Sequence, residues 1–422
     1  MTIMAKYFRA VCVLVCAMFA FAFSSDWPCF HGSDRTNKSK ETGLMKKWPD
    51  KGAVLLWKAS GLGDGYSGVS VSNGIIYSAG SKNKVNNVLA FNTAGKLLWE
   101  KQTGKAWEAS AAFARAYHGT RSTPTIDNGI AYYLSDAGLL VALDAKSGAE
   151  KWSVNLQEKY DAGMPMFGYA ESPLIDGDRL YVAVYGKKAT AVCLDKNTGK
   201  VIWESPVVKN NIGKGPAGYA SFVIVENSGF RQIVAFTSDN VYSLDSKTGA
   251  ILWTVPLNNK TDNNCTDIIY HDGHIFATTG YGTGSILIKL DAKDGKTTAE
   301  KVYETKLLDN HHGGVILHNG YVYGSGHESK GWFCLDFKTG KQMWNHTRGK
   351  GSVTFAEGML YFYDEDGTMS LVKAQPEKFE VVSSFKVPSG GKGAYWAHPV
   401  VSNGVLYLRH ADNLYAYDIK AK

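Results

Sequence analysis

Apolar and polar positions alternate on a short beat along almost the whole chain. Short runs rich in Val, Ile, Leu and Tyr are cut by Gly, Asn or Asp, the pattern of brief strands joined by tight turns. The stretch after Ser122 is the clearest and predicts strands at 123–126, 130–134, 140–143 and 150–152. The last two meet in a turn built from Asp144 and Gly148, with Trp152 on the returning strand. The same trio recurs as Asp195, Gly199 and Trp203, as Asp245, Gly249 and Trp253, and as Asp336, Gly340 and Trp344. Asn92, Gly95 and Trp99 form a version one residue shorter, and Asp291 with Gly295 keeps the turn but loses the Trp. An Asp or Asn that caps its own backbone, followed by a left-handed Gly, closes a hairpin.

A second glycine precedes each such turn, at Gly74, Gly129, Gly177, Gly229, Gly273, Gly320, Gly358 and Gly404. Eight copies at roughly forty- to fifty-residue spacing follow. One four-stranded unit cannot bury both its faces, so the copies must pack on one another. The pattern predicts an all-β protein, a closed eight-bladed β-propeller of four-stranded antiparallel blades. The last copy lacks a fourth strand, since the sequence ends at Lys422 soon after the apolar positions 415–417, whereas residues 54–57 form a strand with no copy of their own. Pairing the two would close the ring and remove two exposed edges.

Composition fits one large core: 422 residues, 44% of them hydrophobic, with 45 Gly and 11 Trp. The formal charge is +7, two of it from Lys6 and Arg9, and it forms no basic block of the kind that follows a phosphate backbone. Nucleic acid is therefore not an expected partner. Lys6 and Arg9 precede an apolar run at 10–23 with small residues near 22–25, which reads as an export signal too short for a comfortable membrane span. The expected organisation is a signal peptide at 1–25, an N-terminal extension at 26–53 and the propeller at 54–422. The chain is then periplasmic or secreted and not membrane-spanning after cleavage.

Of the remaining cysteines, Cys193 and Cys334 occupy equivalent strands of distant blades and read as buried apolar fillers. Spacing leaves a Cys29–Cys265 disulfide open. No pair has zinc-ligand spacing.

The turns in Asp195 to Trp203 and Asp336 to Trp344 resemble the repeat of pyrroloquinoline-quinone (PQQ) type eight-bladed propellers. The segment Trp27-Pro28-Cys29-Phe30-His31-Gly32, with Glu41-Thr42-Gly43-Leu44 after it, is similar to the opening of exported bacterial members. The resemblance spans nearly all of 27–419. It implies three kinds of relative: quinoprotein alcohol dehydrogenases, a propeller lipoprotein of outer-membrane assembly, and propellers without an assigned role. The dehydrogenases, as the resemblance implies, carry a disulfide between adjacent cysteines and a calcium held by Glu, Asn and Asp. This chain has no Cys-Cys pair and no Cys-x-x-Cys-His haem motif.

The repeat also says where a site would lie. First-to-second and third-to-fourth turns share one face of the ring, and here they are uniformly tight. The other face carries the second-to-third loops and the connections between blades, long and varied at 100–121, 153–171 and 204–220, with a short surface helix expected within 106–116. Residues just before each innermost strand would line a funnel on that face. The ligand-binding candidates are Tyr66, His118, Arg121, Tyr169, Glu171, Asn264, Asp267, His312, Lys350, Trp396, His398 and Arg409. Tyr219, Tyr281, His311, His327 and His410 join the same rim. His311 and His312 are neighbours, and on an extended segment only one of them would face the channel.

Aromatic, basic and carboxylate groups converging there suit a flat anionic ligand. The expected function is an exported cell-envelope propeller that binds an envelope protein or polysaccharide as a scaffold, with no cofactor and no metal. The alternative is a PQQ-dependent dehydrogenase of an alcohol or sugar, with Glu171, Asn264 and Asp267 as cation ligands, Arg121, Lys350 and Arg409 as quinone or sugar contacts, and one carboxylate as general base. A carbohydrate-active reading has no paired-carboxylate motif behind it.

Overall fold

The computed structural model of the protein describes residues 26–109, 111–209 and 218–422. The predicted export signal lies outside them, as does part of the third long connection. Eight antiparallel sheets follow in chain order at 70–105, 125–155, 174–204, 223–256, 269–305, 315–346, 351–386 and 400–418. The strand Val54–Ala59 pairs antiparallel with Asn413–Asp418 and becomes the fourth strand of blade 8. The ring closes as the sequence predicts. In blade 2 the strands run Thr125–Asp127, Ile130–Leu134, Leu139–Asp144 and Glu150–Asn155, within two or three residues of expectation at each end.

The periodic Trp turns out to latch one blade to the next. Gly148 has φ +71°, and a Cβ built on it would come 2.7 Å from the ring of Trp99 in the preceding blade. The same seat holds Trp57 under Gly95, Trp152 under Gly199 and Trp203 under Gly249. Each indole N–H then donates to a carbonyl in the turn it sits on: Trp57 to Thr93 at 2.8 Å, Trp99 to Ala145 at 3.1 Å, Trp152 to Lys196 at 2.9 Å and Trp203 to Ser246 at 3.2 Å. Blade 5, which lacks the Trp, supplies Tyr303 instead, packed under Gly340 with its hydroxyl donating to the Phe337 carbonyl at 2.9 Å.

Two local expectations are corrected. The blade 5 hairpin does not turn between Asp291 and Gly295; its strands run on to Lys293 and from Lys296, and Asp294 and Gly295, both at positive φ, make the two-residue turn. Longer strands leave no room for the wider loop. The short helix of the first connection is a 3-10 turn at Ala112–Tyr117, later than expected.

The extension at 26–53 does more than lead into the ring. Its first part fills the axial channel and touches the innermost strand, or the residues just before it, in every blade. Trp27 exchanges two backbone hydrogen bonds with Val71, both 2.8 Å, and Ile126 donates to the Pro28 carbonyl at 2.7 Å. Buried Arg35 donates to the carbonyls of Ser172, Pro173 and Phe222. His31 approaches Asp267 of blade 5 and His398 of blade 8, and Lys38 donates to the Leu317 carbonyl of blade 6. Lys38–Ser39 then adds as a parallel strand inside Gly351–Ala356 of blade 7. A channel bordered by eight short strands presents unpaired backbone groups, and this plug satisfies a share of them.

The four described cysteines are all free, Cys193 and Cys334 fully buried as expected, Cys29 buried and Cys265 half-buried. Among the described residues no helix is long and apolar enough to cross a membrane.

Candidate functional site

On the elaborated face the connections between blades enclose a cavity of about 530 Å³ whose floor is Phe30 of the plug. Of the residues expected there, Tyr66, Arg121, Asp267, His312, Lys350, Trp396 and His398 line it, together with Tyr219, Tyr281, His311 and His327. Phe113, Tyr117, Phe167, Cys265 and Glu365 line it as well and were not singled out from sequence.

Glu365 organises one wall. It sits on the loop between Met359–Asp364 and Thr368–Lys373, and its Oε1 accepts hydrogen bonds from Trp396 Nε1 at 2.7 Å and His312 Nε2 at 3.0 Å, with Lys350 Nζ also at 3.0 Å. Burial pushes this carboxyl up, but the His312 hydrogen bond and the Lys350 charge outweigh it and hold Glu365 at about 2. Buried Asp309 anchors the next wall: it accepts from the backbone N–H groups of Gly282, His327, Glu328 and Ser329, which fixes the loop carrying His327. His311, Tyr281 and His327 pack ring to ring there, and the Tyr281 hydroxyl lies 3.2 Å from His311 Nε2. Both His311 and His312 line the cavity, against expectation, because the chain bends at this point and is not an extended strand.

Arg121 forms the opposite wall. Its guanidinium donates to the carbonyls of Gly119 at 3.1 Å, Phe167 at 3.0 Å and Tyr117, and lies over the rings of Tyr66, Phe167 and Trp107. Tyr117 stacks on Trp396 with centroids 5.4 Å apart, joining the first connection to the last.

The floor is a chain of buried polar groups. His398 Nε2 donates to the His312 carbonyl at 2.8 Å, and His398 Nδ1 lies 3.1 Å from His31 Nε2. His31 Nδ1 is 3.5 Å from Asp267 Oδ2, while Asp267 Oδ1 accepts from the Ser221 N–H at 2.7 Å. Burial pushes Asp267 up to about 7 and His398 down to about 4.

Five expected residues stand elsewhere. His118 is on the exposed outer rim, 3.0 Å from Asp64. Tyr169 is fully buried and donates its hydroxyl to the Val184 carbonyl at 3.0 Å. Glu171 is buried outside the cavity, with loose approaches from the N–H groups of Glu171, Ala170 and Ala183 but no well-formed hydrogen bond; burial raises it to about 8. Asn264 is engaged on every side, its Nδ2 donating to the Thr237 and Ser238 carbonyls and its Oδ1 accepting from Asn259 and Thr279. Arg409 is 1% exposed and donates to the carbonyls of Ser67, Gly63, Ala79 and Ala411 and to the Ser78 hydroxyl, which rivets blade 8 to blade 1.

These positions bear on the calcium and quinone that the resemblance implies. Asn264 Oδ1 already accepts from two donors, Glu171 does not reach the cavity, and Arg409 is buried away from it among the carbonyls it binds. Among the described residues no group of three or more His, Cys, Asp or Glu is poised to hold a metal. The expected cation set of Glu171, Asn264 and Asp267 does not converge.

Comparison with known proteins places the chain in one family. The profile of the family described as "Outer membrane protein assembly factor BamB" matches residues 49–216 and 136–329. Tetrathionate hydrolase of Acidithiobacillus ferrooxidans is 24% identical over 345 residues, 74% of this chain and 57% of that protein. The BamB of Moranella endobia is 24% identical over 268 residues, 60% of this chain and 64% of the relative. Quinoprotein ethanol dehydrogenase of Pseudomonas putida is 25% identical over 158 residues, 36% and 25% of the two chains. The chain thus spans less than two thirds of each of these curated relatives. Among solved structures, BamB from Moraxella catarrhalis shares the fold with a TM-score of 0.60 at 18% identity, over 87% of this chain and 100% of that one. Quinohemoprotein alcohol dehydrogenase from Comamonas testosteroni does so with a TM-score of 0.65 at 13% identity, over 94% and 81%. The chain belongs to the PQQ-repeat propeller family described as outer membrane protein assembly factor BamB.

Proposed function

We propose that the protein is an exported propeller of the cell envelope, periplasmic or secreted, that binds an envelope protein or polysaccharide through its elaborated face in a scaffold role. The observation that carries this reading is the apolar rim beside the cavity. Phe113, Tyr117, Met164, Met166 and Val207 are all exposed, and all stand on the three long connections after blades 1, 2 and 3. Aromatic residues and Met are what a protein interface concentrates, and several of them left bare on the connections of one face suit docking. The BamB description of the family supports an envelope partner.

The test is partner capture from envelope fractions with the tagged full-length chain. The wild type should retain a specific partner, and Phe113→Ser, Met164→Ser and Met166→Ser combined should lose it with the fold intact. Capture of the same set by both proteins, or of nothing specific by the wild type, ends the scaffold reading.

One observation favours the second reading, a PQQ-dependent dehydrogenase. Asp267 lies in the cavity wall, held by burial near 7, within the range of a general base that works at neutral pH. Incubation with PQQ and calcium, desalting, and dye reduction with alcohols and sugars test it. Retained cofactor with turnover would replace the scaffold reading.

A further inference from the structure

The charges of the cavity wall do not balance. Two cations line it, Arg121 and Lys350. Lys350 is paired with Glu365, the wall's one carboxylate held firmly in its charged form. Asp267 on the floor is pushed by burial toward its neutral form. Arg121 makes only carbonyl hydrogen bonds and, among the described residues, no ion pair. Asp136, a buried carboxylate outside the cavity whose Oδ1 accepts from Asn86 and the Trp107 N–H, attracts Arg121 from behind the wall without forming an ion pair with it. On its cavity side Arg121 therefore has no paired counter-charge, and an anion bound there would supply one.

The surroundings of Arg121 specify what that anion is. Its guanidinium is pinned through three carbonyls and covered by the rings of Tyr66, Phe167 and Trp107, so its free N–H edge is fixed in direction. Trp396 and Tyr117 continue the aromatic wall, and Phe30 closes the bottom. Flat apolar surfaces next to one unpaired positive charge match a ring system carrying one acid group. A second acid group would have to face Glu365 or Asp267.

We propose that the cavity binds an aromatic monoanion, an aryl carboxylate or aryl sulfonate, with its acid group on Arg121 and its rings against the Trp396 and Tyr66 wall above Phe30. Nothing in the comparisons assigns this ligand. It rests on the elaborated face being the working face and does not depend on partner capture: loss of either result leaves the other readable.

The test pairs two probes that differ only in the acid group, 8-anilinonaphthalene-1-sulfonate and the uncharged N-phenyl-1-naphthylamine, titrated by fluorescence into the full-length protein. The sulfonate should fill a single site and bind at least about tenfold more tightly than its neutral counterpart. Arg121→Met should abolish that preference while leaving the neutral probe unchanged. Phe30→Trp, which raises the floor, should weaken both probes. Should Arg121→Met not fold, the wild-type preference decides. Equal affinity for the two probes, or an undiminished preference in folded Arg121→Met, overturns the assignment. Sulfonate binding that Phe30→Trp leaves unchanged places the probe elsewhere, and overturns it equally.

Discussion

His31 of the axial plug and His398 at the entry to blade 8 face each other across 3.1 Å, Nε2 to Nδ1. The bond has one direction. His398 must donate from Nε2, since a carbonyl can only accept, so its Nδ1 accepts and His31 donates. Both rings are buried, and burial lowers both, His398 to about 4 and His31 well below its ordinary value. The sign of the pH effect follows. Below pH 6.5 the unfolded chain takes up protons at both rings, whereas the folded chain leaves His398 neutral down to about 4. At these two rings the unfolded state binds more protons throughout that window, so their contribution to stability falls as pH drops through it, against the opposite contribution of the raised Asp267 carboxyl. His398 alone contributes up to about 3 kcal/mol of this loss. Urea unfolding of the wild type and His398→Gln at a series of pH values between about 4 and 6.5 should give slopes that differ by about one proton. An unchanged slope would show that the floor chain is not neutral.

Glu171 gives the opposite slope. Its carboxyl, raised by burial from 4.5 to about 8, prefers the protonated form when folded. The native state therefore binds the extra proton between those limits, and stability is lost as pH rises through them. Glu171→Gln removes the titration and keeps the shape. At pH 5 the variant should match the wild type to within about 0.5 kcal/mol, and at pH 8 it should be the more stable by about 2–4 kcal/mol. Thermal melts at the two pH values decide it. A variant less stable at pH 8 would mean that the charged carboxylate is satisfied in a way its hydrogen bonding does not reveal.

The fold was legible because its determinants repeat. A turn glycine and a Trp at fixed spacing in several blades can be recognised without knowing what either touches, and the orphan strand at 54–57 identifies its own partner. The site was legible only in outline. Asn264 and Asn263 are adjacent on an irregular loop, and which of them faces the cavity depends on local backbone direction that no periodicity encodes; Asn263 lines it and Asn264 does not. Glu365 was hidden inside Asp364-Glu365-Asp366-Gly367, which reads as turn chemistry. The motif at 27–32 marked the plug's presence but not its place in the channel, because Arg35 and Asn37 bind backbone carbonyls, which every sequence supplies.

Arg409 separates a structural cation from a ligand-facing one. Its contacts join Ser67, Gly63 and Ala79 at the start of the ring to its own strand at the end, at the seam that Val54–Ala59 closes. Arg409→Met would take this donor from four carbonyls, two of them buried, and should cost about 3–5 kcal/mol in urea unfolding. Arg121→Met, whose side chain borders a cavity, should cost less than half of that. If the two variants prove equally stable, Arg409 is not the seam rivet inferred from its contacts.

The latch between blades can be isolated by comparing two glycines of blade 2. Gly129 and Gly148 both have positive φ, +76° and +71°, so replacing either with Ala incurs the same kind of left-handed penalty, about 1–2 kcal/mol. Their surroundings differ. A Cβ at Gly129 meets nothing within 4 Å, whereas at Gly148 it would lie 2.7 Å from the Trp99 ring. That ring cannot retreat without giving up its 3.1 Å hydrogen bond to the Ala145 carbonyl. Gly148→Ala should therefore be less stable than Gly129→Ala by a further 1–3 kcal/mol or so, the ordinary cost of overpacking. Adding Trp99→Leu to each should narrow the gap, since the smaller side chain makes room for the methyl group. Equal unfolding free energies for the two single variants would mean that the Trp stacks without bearing on blade cohesion, and that the repeat survives for its turn alone.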